Sequence, residues 1–149
     1  MREVEDMYEK IEQLVDDETK NKDYTVVMGD FNAVVGEGKE DGYVGHYGLG
    51  YHNDRGQMLV DFCKRRQMYI ANTWFTQDRT HPYTWMKPRN TGRYQIDYIL
   101  LSKCRYWNSV CNAKACPGAN NDSDHNPVVA RWRVKLKKVL KATVRSIGF

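Results

Sequence analysis

The segment Tyr94-Gln-Ile-Asp-Tyr-Ile-Leu-Leu101 sets the tightest limit on what this chain can become. It is apolar on both faces, so a strand here is an inner strand, covered above and below. It also puts Asp97 where an unpaired charge would cost several kcal/mol. The carboxylate needs a cation or a histidine N–H as its partner. Arg93 offers an ordinary structural salt bridge, and a histidine from elsewhere in the chain offers a functional one.

The remaining residues supply the covering layers. Val4, Met7, Tyr8, Ile11, Leu14 and Val15 recur with helical period, which predicts a helix over 3–18 with acids on its other face. A loop with Asn21 and Asp23 follows. Tyr24-Thr-Val-Val-Met28 then reads as a buried strand stopping at Gly29-Asp30. Residues 36–53 are rich in glycine and form a long loop of the kind that often carries function. Asp54 with Gln57 makes a capping box that opens a helix through Met58, Leu59, Phe62 and Cys63. Beyond Arg66 the pattern turns to short β-rich runs: 68–72, 83–86, 94–101, 107–115 and 127–132. No repeat or linker divides the 149 residues, which suit one core.

Charge is distributed unevenly. Residues 1–18 carry eight acids and two bases, whereas 131–149 carry seven bases and no acid. The basic tail, with Lys135, Lys137, Lys138, Lys141 and Arg145, can lie against phosphate or simply stay solvated. No apolar run approaches the roughly 20 residues of a membrane span, and the start has no secretory pattern. Cys63, Cys104, Cys111 and Cys116 form no CxxC pair and no zinc pattern, which indicates reduced thiols in an intracellular protein of nucleus or cytoplasm.

Three polar islands interrupt the apolar strands. In Gly29-Asp30-Phe31-Asn32, Asp30 and Asn32 share one face of a strand end while Phe31 turns inward. A carboxylate beside an amide can orient a water and a phosphate oxygen together, although an Asx turn uses the same residues. Asp97 is the second island. Ser123-Asp124-His125-Asn126-Pro127 is the third, where the acid can coordinate Mg²⁺ and the imidazole can hydrogen-bond a phosphoryl oxygen. A buried acid holding a histidine fixes its tautomer. Together the islands support a metal-assisted phosphodiester or phosphomonoester hydrolase.

Gly-Asp-Phe-Asn, Tyr-Thr-Trp, Gln-Ile-Asp-Tyr-Ile-Leu and Ser-Asp-His, in that order, resemble the second half of the endonuclease/exonuclease/phosphatase superfamily, whose fold is DNase I-like. The connecting segments Asn53-Asp-Arg-Gly56, Leu59-Val-Asp-Phe-Cys63, Ile70-Ala-Asn-Thr73 and the closing Lys-Leu-Lys-Lys138 are similar to the craniofacial development protein 2 family and the non-long-terminal-repeat retrotransposon endonuclease–reverse transcriptases related to it. The resemblance spans essentially residues 3–140. It implies an α/β fold, half of a four-layer sandwich of mixed, mostly antiparallel sheets with outer helices. Residues 1–133 would be the C-terminal portion of that domain and 134–149 a basic tail.

By position, the resemblance makes Asp30 the water-orienting acid, Asn32 its phosphate-orienting neighbour and Asp97 the holder of His125. Asp124 becomes a metal-side carboxylate and Thr84 a DNA-backbone contact, with Trp85 as packing. The implied cofactor is Mg²⁺ (or Mn²⁺). The implied partners are DNA and, in an intact relative, a reverse transcriptase domain, with no membrane. This chain starts after the superfamily's first-half Asn, its principal metal-binding Glu and a catalytic Tyr. It is therefore expected to be a truncated DNA endonuclease, weak or inactive alone. The alternative is a non-catalytic remnant that binds nucleic acid or protein; a phosphatase or lipid-phosphate hydrolase of the same superfamily is a third reading.

Overall fold

A computed structural model describes residues 2–18, 25–37, 42–76, 82–103, 109–117 and 123–133. The elements run α1 (Arg2–Glu18), β1 (Val26–Asp30), α2 (Asp54–Arg66), β2 (Met68–Ile70), β3 (Trp85–Met86), β4 (Arg93–Tyr94), β5 (Asp97–Ser102), β6 (Val110–Ala115) and β7 (Val128–Trp132). The loop at Asn21 and Asp23, Cys104, the start of the 107–115 segment and the basic tail lie outside the described residues.

Strand β5 is the hub. It pairs antiparallel with β1 on one side and β2 on the other, giving the order β1-β5-β2. Side chains alternate across a strand, so β5 serves two apolar layers at once. Tyr98 and Leu100 point into a cluster with Tyr8 and Ile11 of α1, Phe62 and Cys63 of α2, and Phe31. Ile99 and Leu101 point the other way, toward Tyr69, Ala71 and Ala113, against which Val128 and Trp132 of β7 pack. The result is a helix layer, a three-stranded sheet and the β6–β7 pair. Every described strand pair in these sheets is antiparallel, and with the two helices they give the α/β class that the resemblance implies. Among the described residues, no helix is long and apolar enough to cross a membrane.

Helix α1 buries Val4, Tyr8 and Ile11 as its period predicts. Two ion pairs help lay it on α2, Arg65 to Glu12 at 2.9 Å and Arg66 to Asp16 at 2.6 Å. Four expectations need correction. Strand β1 is not buried: it lies at the edge of its sheet, and Met28 is 54% exposed. The run 94–101 is not one strand, because it breaks at Gln95-Ile96 between β4 and β5. The run 68–72 is a strand only to Ile70, after which Ala71–Thr73 forms a 3-10 turn. Helix α2 is capped by Asn53 and not by Asp54. The Asn53 side-chain oxygen accepts from Gly56 N–H at 2.7 Å and from Val34 N–H at 3.1 Å, so the cap also fastens the chain leaving β1. Gln57 is bonded to Asp61 and His52 instead of closing a box.

The long loop packs through its glycines. A Cβ on Gly48 would sit on the carbonyl oxygen of Gly36, and Gly36 itself holds φ +75° with a Cβ position only 2.8 Å from Gly50 O. Side chains have no room there, and only glycine adopts that backbone without strain.

The buried hydroxyl of Tyr98 ties this segment to β5. It lies 2.7 Å from the Gln95 carbonyl and 3.0 Å from that of Ala33, donating to one of them, and it accepts from Val35 N–H at 3.3 Å. Tyr98→Phe leaves those groups unpaired in a dry site and should cost about 1–3 kcal/mol, read from the urea midpoint at unchanged m-value.

Candidate active site

At the end of β1, Asp30 faces Asp97 of β5 across the ladder. Phe31 drops wholly into the core, and its N–H donates to Ile96 O at 3.0 Å. The Arg55 guanidinium donates to Phe31 O at 3.0 Å, holding the chain where it leaves the strand. Asn32 takes a left-handed φ of 49° and stays exposed, and its backbone N–H donates to Asp30 Oδ1 at 2.8 Å. The Asx turn therefore occurs, and it leaves Asp30 Oδ2 as the oxygen turned toward the site.

Residues 124–126 are laid antiparallel along β3. Asn126 N–H donates to Thr84 O at 2.8 Å, Met86 N–H to Asp124 O at 3.3 Å, and Trp85 and His125 form a β-bridge. This backbone pairing delivers the imidazole to Asp97. His125 Nδ1 is 2.8 Å from Asp97 Oδ2, while Nε2 is 3.8 Å from Asp30 Oδ2 and 3.9 Å from Asp124 Oδ1. With Nδ1–H donating to the half-buried Asp97, Nε2 is the nitrogen left to face a ligand. Three carboxylates around one imidazole leave net negative charge at the mouth of the site.

That charge sets the titration. Burial raises the Asp97 carboxyl above the usual carboxylate range, only partly offset by hydrogen bonds from the Thr84 hydroxyl and His125. Burial would lower His125, but the hydrogen bond and charge of Asp97, then the charges of Asp30 and Asp124, outweigh it and hold the ring above its ordinary value.

Asp30, Asp97 and His125 each offer a ligand atom within 4.8 Å of one another, so they form an Asp-Asp-His group able to hold a cation. Oxygen donors with excess negative charge fit a hard divalent ion. Asp124 stands beside that group, 64% exposed by side chain, with Oδ2 accepting from the Trp85 indole N–H at 2.9 Å.

Thr84 is displaced from its expected place. It is completely buried, and its hydroxyl oxygen accepts from Ile96 N–H at 2.9 Å and Asp97 N–H at 3.1 Å. It stands behind Asp97 and bridges the break between β4 and β5 instead of facing a DNA backbone. Trp85, read as packing, orients Asp124 as well and stacks near Tyr94 and His125. Asn72 had no role in the sequence reading. It is buried, donates to Asp97 O at 3.1 Å and accepts from Ile99 N–H at 3.2 Å. Its signal was an amide within the apolar run 68–72.

Over 141 residues, 95% of its length, the chain is 41% identical to craniofacial development protein 2 of Tragulus javanicus. It is 40% identical to that of Bos taurus over the same length. It spans about a quarter (24%) of each of these relatives. Among solved structures it is similar to the endonuclease domain of TRAS1, a telomere-specific non-LTR retrotransposon, with TM-score 0.61 and 14% identity over 89% of this chain and 53% of that one. It is also similar to the 3′ phosphatase NExo from Neisseria bound to product DNA hairpin, with TM-score 0.59 and 18% identity over 87% of this chain and 53% of that one. At these identities the structural likeness is one of fold. No family model matches the chain.

In metal-free protein, the His125 ring should titrate above 6.5, and Asp97→Asn should move it to lower pH. The stability it contributes is fully present below 6.5 and lost as pH rises through the folded-state value. Asp97 acts with the same sign, its raised pKa removing stability as pH climbs above 3.8. Imidazole NMR titration and urea melts across pH check both directions.

Proposed function

Because this chain is a homologue of craniofacial development protein 2 with a partial DNase I-like fold, we propose that it is the C-terminal portion of a Mg²⁺- or Mn²⁺-dependent endonuclease domain that hydrolyses DNA phosphodiesters. On this reading residues 1–133 belong to the domain and 134–149 form a basic tail, with a reverse transcriptase domain as its neighbour in intact relatives. The free thiols of Cys63, Cys111 and Cys116 accord with an intracellular setting, nucleus or cytoplasm.

One observation carries the proposal: an imidazole fixed at Nδ1 by a half-buried carboxylate turns Nε2 toward a second, open carboxylate. Asp30 orients a water for in-line attack on phosphorus and accepts its proton. The P–O3′ bond breaks, and the leaving 3′ oxygen takes a proton from solvent water to end as a 3′-hydroxyl opposite a 5′-phosphate. His125 Nε2 meets the phosphoryl oxygen on which charge accumulates, and Asp97 stabilises the imidazolium. The Asn32 amide, exposed beside Asp30, orients the phosphate. Asp124 would hold the divalent ion together with Asp30, since both carboxylates face the same imidazole nitrogen while Asp97 is engaged by histidine. The ion supplies positive charge against the phosphate oxygens. Thr84 acts from behind, by fixing Asp97.

As a truncated domain, the full chain with Mg²⁺ should nick supercoiled plasmid only weakly, and chelator should abolish that nicking. His125→Ala and Asp30→Asn should each lower the rate about 10²–10⁴-fold. Equal nicking by wild type and His125→Ala overturns the reading in favour of a non-catalytic remnant that binds nucleic acid or protein.

A further inference from the structure

From Gly45 to Asn53 the loop before α2 is pinned by hydrogen bonds. Gly45 N–H donates to the Thr73 hydroxyl at 2.9 Å, Tyr47 N–H to Thr73 O at 3.0 Å, and Leu49 N–H to the Gln95 side chain at 3.1 Å. His52 has its two ring nitrogens at the Val35 carbonyl and Gln57, and Asn53 N–H donates to Val34 O. Between these anchors Tyr51 is 96% exposed, the most exposed large hydrophobic residue among those described, with Tyr47 of the same loop at 46%. A rigid backbone thus holds an aromatic ring out in water.

Its position relates it to the site. The backbone of residues 50–52 lies against Gly36, in the segment that runs on from Asp30 and Asn32. Leu49 is held by Gln95, two residues before Asp97. Gly36 lies six positions beyond Asp30, which bounds their distance at about 20 Å. Stacked nucleotides advance about 3.4 Å each, so a bound strand covers that distance in about six nucleotides.

We propose that Tyr51 is a stacking platform for an unpaired nucleic-acid base, so that the site takes a strand with at least one exposed base face. This rests on the nuclease reading above and names its substrate class. A preformed loop and a side chain with two torsions lose little freedom when a base settles on the ring, and stacking tolerates any base.

The test is binding of single-stranded and fully paired oligonucleotides to the full chain with chelator present, so that nothing is cut. A 2-aminopurine walked along the single strand reports stacking. Tyr51→Ala should weaken single-strand binding about 5- to 150-fold and remove the strongest 2-aminopurine signal. Tyr51→Trp should keep both, with duplex affinity and melting temperature unchanged in either variant. Equal single-strand affinity for wild type and Tyr51→Ala, or no binding by wild type, overturns the platform. Stacking without plasmid nicking would leave the platform on a non-catalytic chain. Nicking with Tyr51→Ala binding unchanged would remove the platform and leave the nuclease reading standing.

Discussion

Asp97 carries a negative charge to the first residue of the strand on which both apolar layers close. A carboxylate largely withdrawn from water needs hydrogen bonds in its place, and here Thr84 and His125 supply them. The requirement links fold to site. The chain must bring a histidine 28 residues downstream back to β5, and it does so by pairing residues 124–126 along β3. The apolar core fixes β5, β5 fixes Asp97, and Asp97 fixes which imidazole nitrogen looks outward.

Around this pair, several polar contacts act on backbone and leave the functional side chains open. Arg55 grips Phe31 O, Asn53 grips Val34 N–H, and Asn72 grips Asp97 O. Each addresses a peptide group next to or near an acid of the site. The three carboxylates remain for the imidazole and for a cation. Such division of labour keeps charged groups close while their mutual repulsion is resisted by hydrogen bonds elsewhere.

Periodicity and burial logic made much of this legible beforehand. The helical repeat of Val4, Tyr8 and Ile11 required a helix with one buried face, and a charge at Asp97 in an apolar run required a partner. Phe31 lies inside as alternation implies, but β1 ends at Asp30 and Asn32 leaves it in a left-handed turn, so the two polar residues do not share a strand face. What escaped depended on distant pairing. Whether β1 is central or at an edge is decided by which strands lie beside it, and no local pattern encodes that. The break at Gln95-Ile96 is stabilised by the hydroxyl of Thr84, ten or more residues away, and so looks continuous in the linear order. The capping error has a similar origin. Asn53 and Asp54 are both competent caps, and the contact with Val34 favours the former. Thr84 and Trp85 were known only by resemblance, which conveys that residues recur and not which way their side chains point.

The closed packing at Gly36 and Gly48 bears on how this chain can change through descent. Any coding substitution at either position forces the crossing backbones apart, so stepwise tuning of the loop by small replacements is barred. Changes at the loop's exposed positions, such as Tyr47, leave its packing intact. Lineages should therefore inherit the turn whole or lose it whole, with variety confined to the side chains it shows to water.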